Sequence, residues 1–125
     1  MARILLIDDD TPFRGMLCQV LVREGYCVVE AQHGREGLER YGETPFDLVI
    51  TDLLMPEEEG LATIRTLRRI CPTVKIIAMS GGGITGQLDF LPVAKRLGTH
   101  HTLWKPFPRQ ELLDAVHTLL ESQDT

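Results

Sequence analysis

Short apolar runs alternate along the chain with longer stretches whose apolar residues recur every three or four positions. The runs RILLI, YCVVEA, FDLVIT, VKIIAM and HTLW predict five β-strands, of which HTLW is the weakest. The stretches that follow these runs have helical spacing and predict five α-helices. Strands and helices that alternate in this way favour an α/β fold, in which helices cover both faces of a doubly wound parallel sheet.

Two of the predicted helices carry clear boundary or packing signals. In the first helix, Thr11 is expected to be the N-cap, Pro12 to occupy the first helical position and Gly25 to end the helix. The third helix is expected to bury a single apolar face. That face consists of Leu61, Ile64, Leu67 and Ile70.

The apolar content of each strand predicts its place in the sheet. The first, third and fourth strands are almost continuously apolar, which is typical of central strands that are covered on both faces. The second and fifth strands are weaker and fit the edges. The implied strand order is 2-1-3-4-5, the flavodoxin-like (βα)5 arrangement. In such sheets, ligands bind at the carboxyl ends of the strands, where the order reverses between strands 1 and 3.

Length and composition limit the classes of protein to consider. The 125 residues suit one domain, predicted to span residues 1–121, with a polar tail at 122–125. The net charge is −5 and no basic stripe occurs, which argues against direct nucleic-acid binding. Because no apolar run suits a membrane span or a signal peptide, we expect a cytoplasmic location and no membrane partner. The 3 cysteines match neither a disulfide framework nor a zinc site.

Polar residues with strong chemistry fall at four of the predicted strand ends. Because the carboxyl ends of parallel strands share one edge of the sheet, these residues are expected to lie close together. They are Asp8 and Asp9 after the first strand, Asp52 after the third, Ser80 and Gly81 after the fourth, and Lys105 after the fifth.

The chemistry of such a cluster is that of a phosphoryl-transfer site. Clustered carboxylates need a cation, and an all-oxygen site suits Mg²⁺ or another hard divalent ion such as Mn²⁺. Lys105 would balance the charge and bind an anionic oxygen, and Ser80 with the amides of a glycine-rich turn would bind another. A carboxylate can itself accept a phosphoryl group, and Asp52, at the end of a central strand, is the best candidate. Asp10 is expected to face elsewhere, as an acid at the N-terminus of the first helix.

Four segments, LLIDDD, LVITDLLMP, IIAMSG and LWKPF, resemble the signature segments of the response-regulator receiver domain, the phosphoacceptor half of two-component signalling. They occur in the family's order and at nearly its spacing, across almost the whole chain. The resemblance implies that Asp52 is the phosphoacceptor. It also implies that Asp9 binds Mg²⁺ directly, that Asp8 acts through a coordinated water, and that the backbone carbonyl of Leu54 is a metal ligand.

Further implied roles lie on the fourth and fifth strands. Ser80 matches the switch hydroxyl that turns toward the phosphoryl group, and Gly81 is the small residue beside it. Lys105 matches the family's lysine, and its peptide bond to Pro106 is a candidate cis bond. The resemblance implies a signalling switch rather than an enzyme with an external substrate.

The implied partners are proteins. A histidine kinase or a histidine phosphotransfer protein would supply the phosphoryl group. A downstream protein would bind the face formed by the fourth helix, fifth strand and fifth helix. Whether the chain forms a homodimer is left open.

Two features depart from the family pattern. Thr102 stands where the family usually has Tyr or Phe, so the switch is expected either to work without an aromatic rotamer change or to involve Trp104 and Phe107. The loop from Gly81 to Gly86 is a few residues longer than usual and rich in glycine, which predicts a mobile segment. A loop that orders on phosphorylation and a tolerated insertion are equal alternatives here.

Two other functions stay open. A haloacid-dehalogenase-like phosphatase would use Asp8 as its nucleophile, and Asp8 and Asp10 have the required spacing. However, Pro12 stands where that class has Thr or Val, and 125 residues leave little room for a substrate cap. A receiver that signals without phosphorylation is the other alternative, and the intact set of acids, serine and lysine argues against it.

Overall fold

The computed structural model describes residues 1–53, 59–81 and 91–121. Five strands alternate with five helices in these ranges, as the sequence predicts, and none of these helices is long and apolar enough to cross a membrane. In chain order the elements are β1 (Arg3–Ile7), α1 (Thr11–Arg23), β2 (Cys27–Ala31), α2 (Gly34–Glu43), β3 (Leu48–Asp52), α3 (Glu59–Ile70), β4 (Lys75–Ser80), α4 (Leu91–Arg96), β5 (His101–Trp104) and α5 (Arg109–Glu121).

The strands form one parallel sheet in the order β2-β1-β3-β4-β5, which confirms the predicted doubly wound arrangement. The register between β1 and β3 matters most for the site. Ile7 of β1 pairs with Thr51 of β3. The next residues in the two strands, Asp8 and Asp52, therefore lie side by side at the carboxyl edge of the sheet. The strand order reverses between these two strands.

Alternation along the strands creates two separate cores. Ile4 and Leu6 of β1 pack in the core covered by α1 and α5, whereas Leu5 and Ile7 pack in the core covered by α2 and α3. The first core also holds Ile50 of β3 and Leu103 of β5. Side chains alternate between the two faces of a strand, so residues two apart share a face. Two residues after Leu6, Ile50 and Leu103 of this first core come Asp8, Asp52 and Lys105. These three polar residues therefore belong to the face of the sheet that carries α1 and α5.

The N-cap of α1 is Asp10, so the prediction of Thr11 as N-cap is wrong. The Asp10 side chain accepts a hydrogen bond from the Phe13 backbone N–H at 3.1 Å, and Thr11 and Pro12 become the first two helical residues. An N-cap side chain accepts a hydrogen bond from a backbone N–H two or three residues further along the chain, as Asp10 does from Phe13. Gly25 ends the helix in the predicted manner, with a φ of 96° that favours glycine.

The apolar face of α3 is one residue shorter than predicted. Leu61, Ile64 and Leu67 are buried, but Ile70 is 55% exposed. Ile70 is the last residue of α3. Val74, just before β4, is buried in the core that Ile70 was expected to join.

Gly60 lets α3 begin directly against the end of β3. A Cβ atom at this position would lie 2.4 Å from the Asp52 carbonyl oxygen and 2.6 Å from the Leu53 Cα. Both neighbours are backbone atoms, which cannot rotate away as a side chain can. The absent side chain at position 60 therefore sets how closely α3 approaches the strand end that carries Asp52.

We expect Gly60→Ala to destabilise the protein by about 1–3 kcal/mol, because the added methyl group overlaps backbone. Gly42→Ala is the matched control, since a Cβ at this helical position of α2 meets nothing within 4 Å. That control should be neutral or stabilising by up to about 1 kcal/mol, as alanine favours helix over glycine. Urea unfolding of the two variants checks the prediction, and equal midpoints would contradict it.

Candidate functional site

Four strand ends bring the predicted residues to one place. Asp8 is fully buried and Asp52 is 4% exposed, and Ser80, the last residue of β4, is also fully buried. Lys105 follows β5, and its backbone N–H donates to the Ser80 carbonyl at 2.8 Å. Buried polar side chains are costly unless they have partners, so this cluster must be satisfied from within.

The Lys105 ammonium joins the two buried carboxylates. Its Nζ lies 2.8 Å from Asp8 Oδ2 and 3.2 Å from Asp52 Oδ2. Burial by itself would lower the pKa of Lys105, but the hydrogen bonds and negative charge of Asp8 and Asp52 outweigh it, and the pKa is raised above its ordinary value. The lysine therefore stays charged and neutralises part of the repulsion between the two acids.

Three carboxylates lie close enough together to share a cation. One oxygen each of Asp8, Asp9 and Asp52 lies within 4.8 Å of the others. Asp9 is exposed, whereas the other two are buried, so the cluster is open to solvent on the Asp9 side. An all-carboxylate set of this kind fits a hard divalent ion such as Mg²⁺.

Asp10, the third acid of the IDDD run, contacts Asp8 through its backbone and the first helix through its side chain. Its backbone N–H donates to Asp8 Oδ1 at 2.9 Å, while its side chain caps α1. Both oxygens of Asp8 therefore accept a hydrogen bond, one from Asp10 and one from Lys105. The expectation that Asp10 serves the helix rather than the acidic cluster agrees with this geometry.

Arg14 is a functional neighbour that sequence reasoning missed. Its Nη1 donates to the Asp8 carbonyl at 2.6 Å, and its Nε pairs with Glu30 Oε1 at 2.9 Å. The buried guanidinium thus ties α1 to the end of β1 and to β2. The available signal was helical spacing, because Arg14 lies on the same face as Leu17 and Leu21 and should be buried with them.

Other predicted residues are accounted for as follows. Gly81 lies against the Lys105 side chain, since a Cβ at that position would meet Lys105 Cβ and Cδ at 3.6 Å. The peptide bond between Lys105 and Pro106 is cis. Thr102 pairs with Ala78 in the sheet and is partly exposed. Leu54 and positions 82–86 of the glycine-rich loop lie outside the described residues.

The family model and the sequence relatives that match this chain indicate the same family. The family model of the response regulator receiver domain matches residues 4–117. The chain is 34% identical over 119 residues to the chemotaxis protein CheY of Bacillus subtilis, and the match covers 94% of this chain and 97% of that protein. It is 30% identical over 118 residues to sporulation initiation phosphotransferase F of Bacillus subtilis, with 94% and 93% covered.

Solved structures agree with the sequence relatives. A CheY-like response regulator receiver domain protein from Methanospirillum hungatei superposes with a TM-score of 0.90 at 28% identity. The superposition covers 99% of this chain and 97% of that one.

A cavity of about 490 Å³ lies at the opposite, amino-terminal edge of the sheet, away from the acidic cluster. Tyr41 and Cys71 line it. A hydrogen bond from Tyr41 and contact with the Thr73 hydroxyl lower the pKa of the Cys71 thiol. By contrast, burial and the neighbouring Glu30 carboxylate raise the pKa of the Cys18 thiol. Asp47 and Lys75 also line this cavity, but none of the polar residues of the carboxyl-edge site does.

These opposite shifts predict different pH profiles for alkylation of the two thiols by iodoacetamide. Cys71 should react with the lower apparent pKa, because the Tyr41 hydroxyl stabilises its thiolate. Tyr41→Phe should move the Cys71 profile to higher pH and leave the Cys18 profile in place. Peptide mass spectrometry across a pH series measures both sites at once. A Cys71 profile that is unchanged by Tyr41→Phe, or that lies above the Cys18 profile, would contradict this account.

Proposed function

Because the chain belongs to the response regulator receiver domain family, we propose that it is a phosphoacceptor switch in two-component signalling. In this proposal Asp52 receives a phosphoryl group from the phosphohistidine of a histidine kinase or a histidine phosphotransfer protein. The phosphorylated form then binds its protein partner with a changed affinity. The observation that carries the proposal is the Lys105 ammonium in contact with both Asp8 and Asp52 at the ligand-binding edge of the sheet.

The contacts of the acids support Asp52 as the nucleophile. Asp8 is fully buried, and both of its oxygens accept hydrogen bonds within the protein. Asp52 retains a small exposed fraction and lies on the central strand β3, beside the carboxyl-edge opening on the Asp9 side. The exposure of Asp52 and its place at this opening favour attack by Asp52 over attack by Asp8, and they argue against the phosphatase alternative, which needs Asp8 as its nucleophile.

The proposed reaction is a displacement at phosphorus. An Asp52 carboxylate oxygen attacks the phosphorus atom of phosphohistidine, an O–P bond forms and the P–N bond breaks. The electron pair of the broken bond stays on the imidazole nitrogen, which then takes up a proton from solvent. Lys105 is close enough to Asp52 to stabilise the negative charge on a phosphoryl oxygen, and Ser80 and the Gly81 amide are the proposed ligands for the others.

The acidic cluster supports a divalent ion as the cofactor, Mg²⁺ or Mn²⁺. We propose that Asp9 and Asp52 bind it directly and that Asp8, whose oxygens already have donors, acts through a coordinated water. The carbonyl of Leu54, outside the described residues, completes the proposed set. When bound, the ion neutralises charge on the carboxylates and on the phosphoryl group. Lys105 supplies the remaining positive charge at the same carboxylates.

The family also motivates proposals on partners and location. We propose that residues 1–121 act as the receiver unit in the cytoplasm, and that neither nucleic acid nor a membrane is a direct partner. The output surface is proposed to be the face formed by α4, β5 and α5. Trp104 of β5 supports this, because it is 44% exposed and large aromatic residues commonly anchor protein contacts.

We expect one phosphoryl group per chain when the protein is incubated with Mg²⁺ and acetyl phosphate, because Asp52 is the proposed acceptor. Intact mass spectrometry measures the adduct. Asp52→Asn should abolish it, and removal of Mg²⁺ with a chelator should suppress it in the parent protein. Asp114→Asn is the matched control, since Asp114 is an exposed acid on α5, and its adduct should form at the parent rate.

Three results would overturn this proposal. An adduct that survives Asp52→Asn would place the phosphoryl group elsewhere. The absence of any adduct on the parent protein, with both acetyl phosphate and a phosphorylated histidine phosphotransfer protein as donors, would favour a receiver that signals without phosphorylation. Steady release of phosphate from many esters, blocked by Asp8→Asn and retained in Asp52→Asn, would instead favour the phosphatase.

A further inference from the structure

An aromatic ring covers the third side of the Lys105 ammonium. The Lys105 Nζ lies 4.4 Å from the centroid of the Phe13 ring. Its other two contacts are the carboxylates of Asp8 and Asp52. Two carboxylates and one ring face therefore contact the ammonium, whose side chain is 18% exposed.

Two separate chain segments fix the position of the Phe13 ring. The Asp10 side chain accepts a hydrogen bond from the Phe13 backbone N–H and so sets the start of α1. The Phe107 ring meets Phe13 nearly at a right angle, with centroids 5.9 Å apart and an interplanar angle of 79°. Edge-to-face pairs of this kind favour one ring orientation. Both rings also pack against the core between the sheet and α1 and α5.

The contact matters because a lysine side chain is flexible. Four rotatable bonds separate the Lys105 ammonium from its backbone, and solvent offers the ammonium an alternative to the site. The face of an aromatic ring attracts a cation through its quadrupole and at the same time excludes water from one side of it. An aliphatic residue in this place would fill similar space without the attraction.

We propose that Phe13 is a positioning residue, whose ring holds the Lys105 ammonium at the carboxylates of Asp8 and Asp52. The lysine is then already in place when a phosphoryl oxygen arrives at Asp52. The placement of Lys105 by Phe13 stands on the geometry alone, whereas its effect on phosphorylation rests on the proposed function. The uncharged residue at position 13 thus sets the position of the Lys105 charge.

Phe13→Leu tests the proposal, because leucine keeps an apolar side chain and removes the ring face. The first measurement is the proton chemical shift of the Lys105 ε-methylene group, without any phosphodonor. In the parent protein the ring should shift this signal upfield, and in Phe13→Leu it should move toward the value of a solvated lysine. The second measurement is the rate of adduct formation from acetyl phosphate with saturating Mg²⁺. That rate should fall about three- to tenfold in Phe13→Leu, and Phe13→Tyr should restore both readouts.

Phe46→Leu is the matched control for the loss of an aromatic ring. Phe46 makes the same kind of contact with a cation, its ring centroid lying 4.7 Å from Arg3 Cζ, but just before β3 at the other end of the sheet. Its substitution should lower stability and leave the Lys105 signal and the adduct rate unchanged. Both variants are compared well below their unfolding midpoints, so that only folded protein is measured.

Each outcome of this experiment decides one part of the proposal. An unchanged Lys105 signal in Phe13→Leu overturns the placement of Lys105 by the ring. A changed signal with an adduct rate equal to that of Phe46→Leu overturns the role of Phe13 in the reaction. If the parent protein forms no adduct, the proposed function fails, and the chemical shift alone still decides whether Phe13 holds Lys105.

Discussion

The repulsion between two buried carboxylates, Asp8 and Asp52, is the constraint on which the site depends. Two like charges in a buried environment disfavour folding unless positive charge lies between or beside them. Lys105 meets that requirement with contacts of 2.8 and 3.2 Å. It can do so because β1, β3 and β5 run parallel, so that residues of matching alternation emerge on the same face and at the same edge. The neutralisation of the two carboxylates therefore depends on the strand order of the sheet.

Close backbone packing around the acids makes the arrangement stiff. Gly60 lets α3 start against the Asp52 carbonyl, and Asp10 holds both the Asp8 carboxylate and the first turn of α1. Arg14, on the same helix, donates a hydrogen bond to the Asp8 carbonyl. A preorganised set of charges has little reorganisation left to do when a phosphoryl group arrives, which is how enzymes and switches alike stabilise developing charge. The helix α1 emerges as a structural part of the site, although it carries none of the acids.

Much of the fold and of the site's membership could be predicted from the sequence, and the failures have physical causes. The strand order could be predicted because almost continuously apolar runs indicate central strands. The membership of the site could be predicted from the polar residues at the ends of the strands. Thr11 was a reasonable N-cap by type, but Asp10 has the reach to the N–H of Phe13. Ile70 fits the helical period and is exposed because the chain turns away there. The sequence pattern does not single out Arg14, because an arginine on an apolar helix face is ordinarily expected to be exposed, whereas here it is buried.

Asp52, and neither of the neighbouring acids, is proposed to carry the phosphoryl group. Reduction of the phosphorylated wild-type protein with borohydride tests it most directly, because this reagent converts an aspartyl phosphate to homoserine and leaves free carboxylates unchanged. Peptide mass spectrometry then identifies the modified position without any substitution in the chain. Homoserine is expected in place of Asp52 alone. Homoserine in place of Asp8, with Asp52 intact, would contradict it.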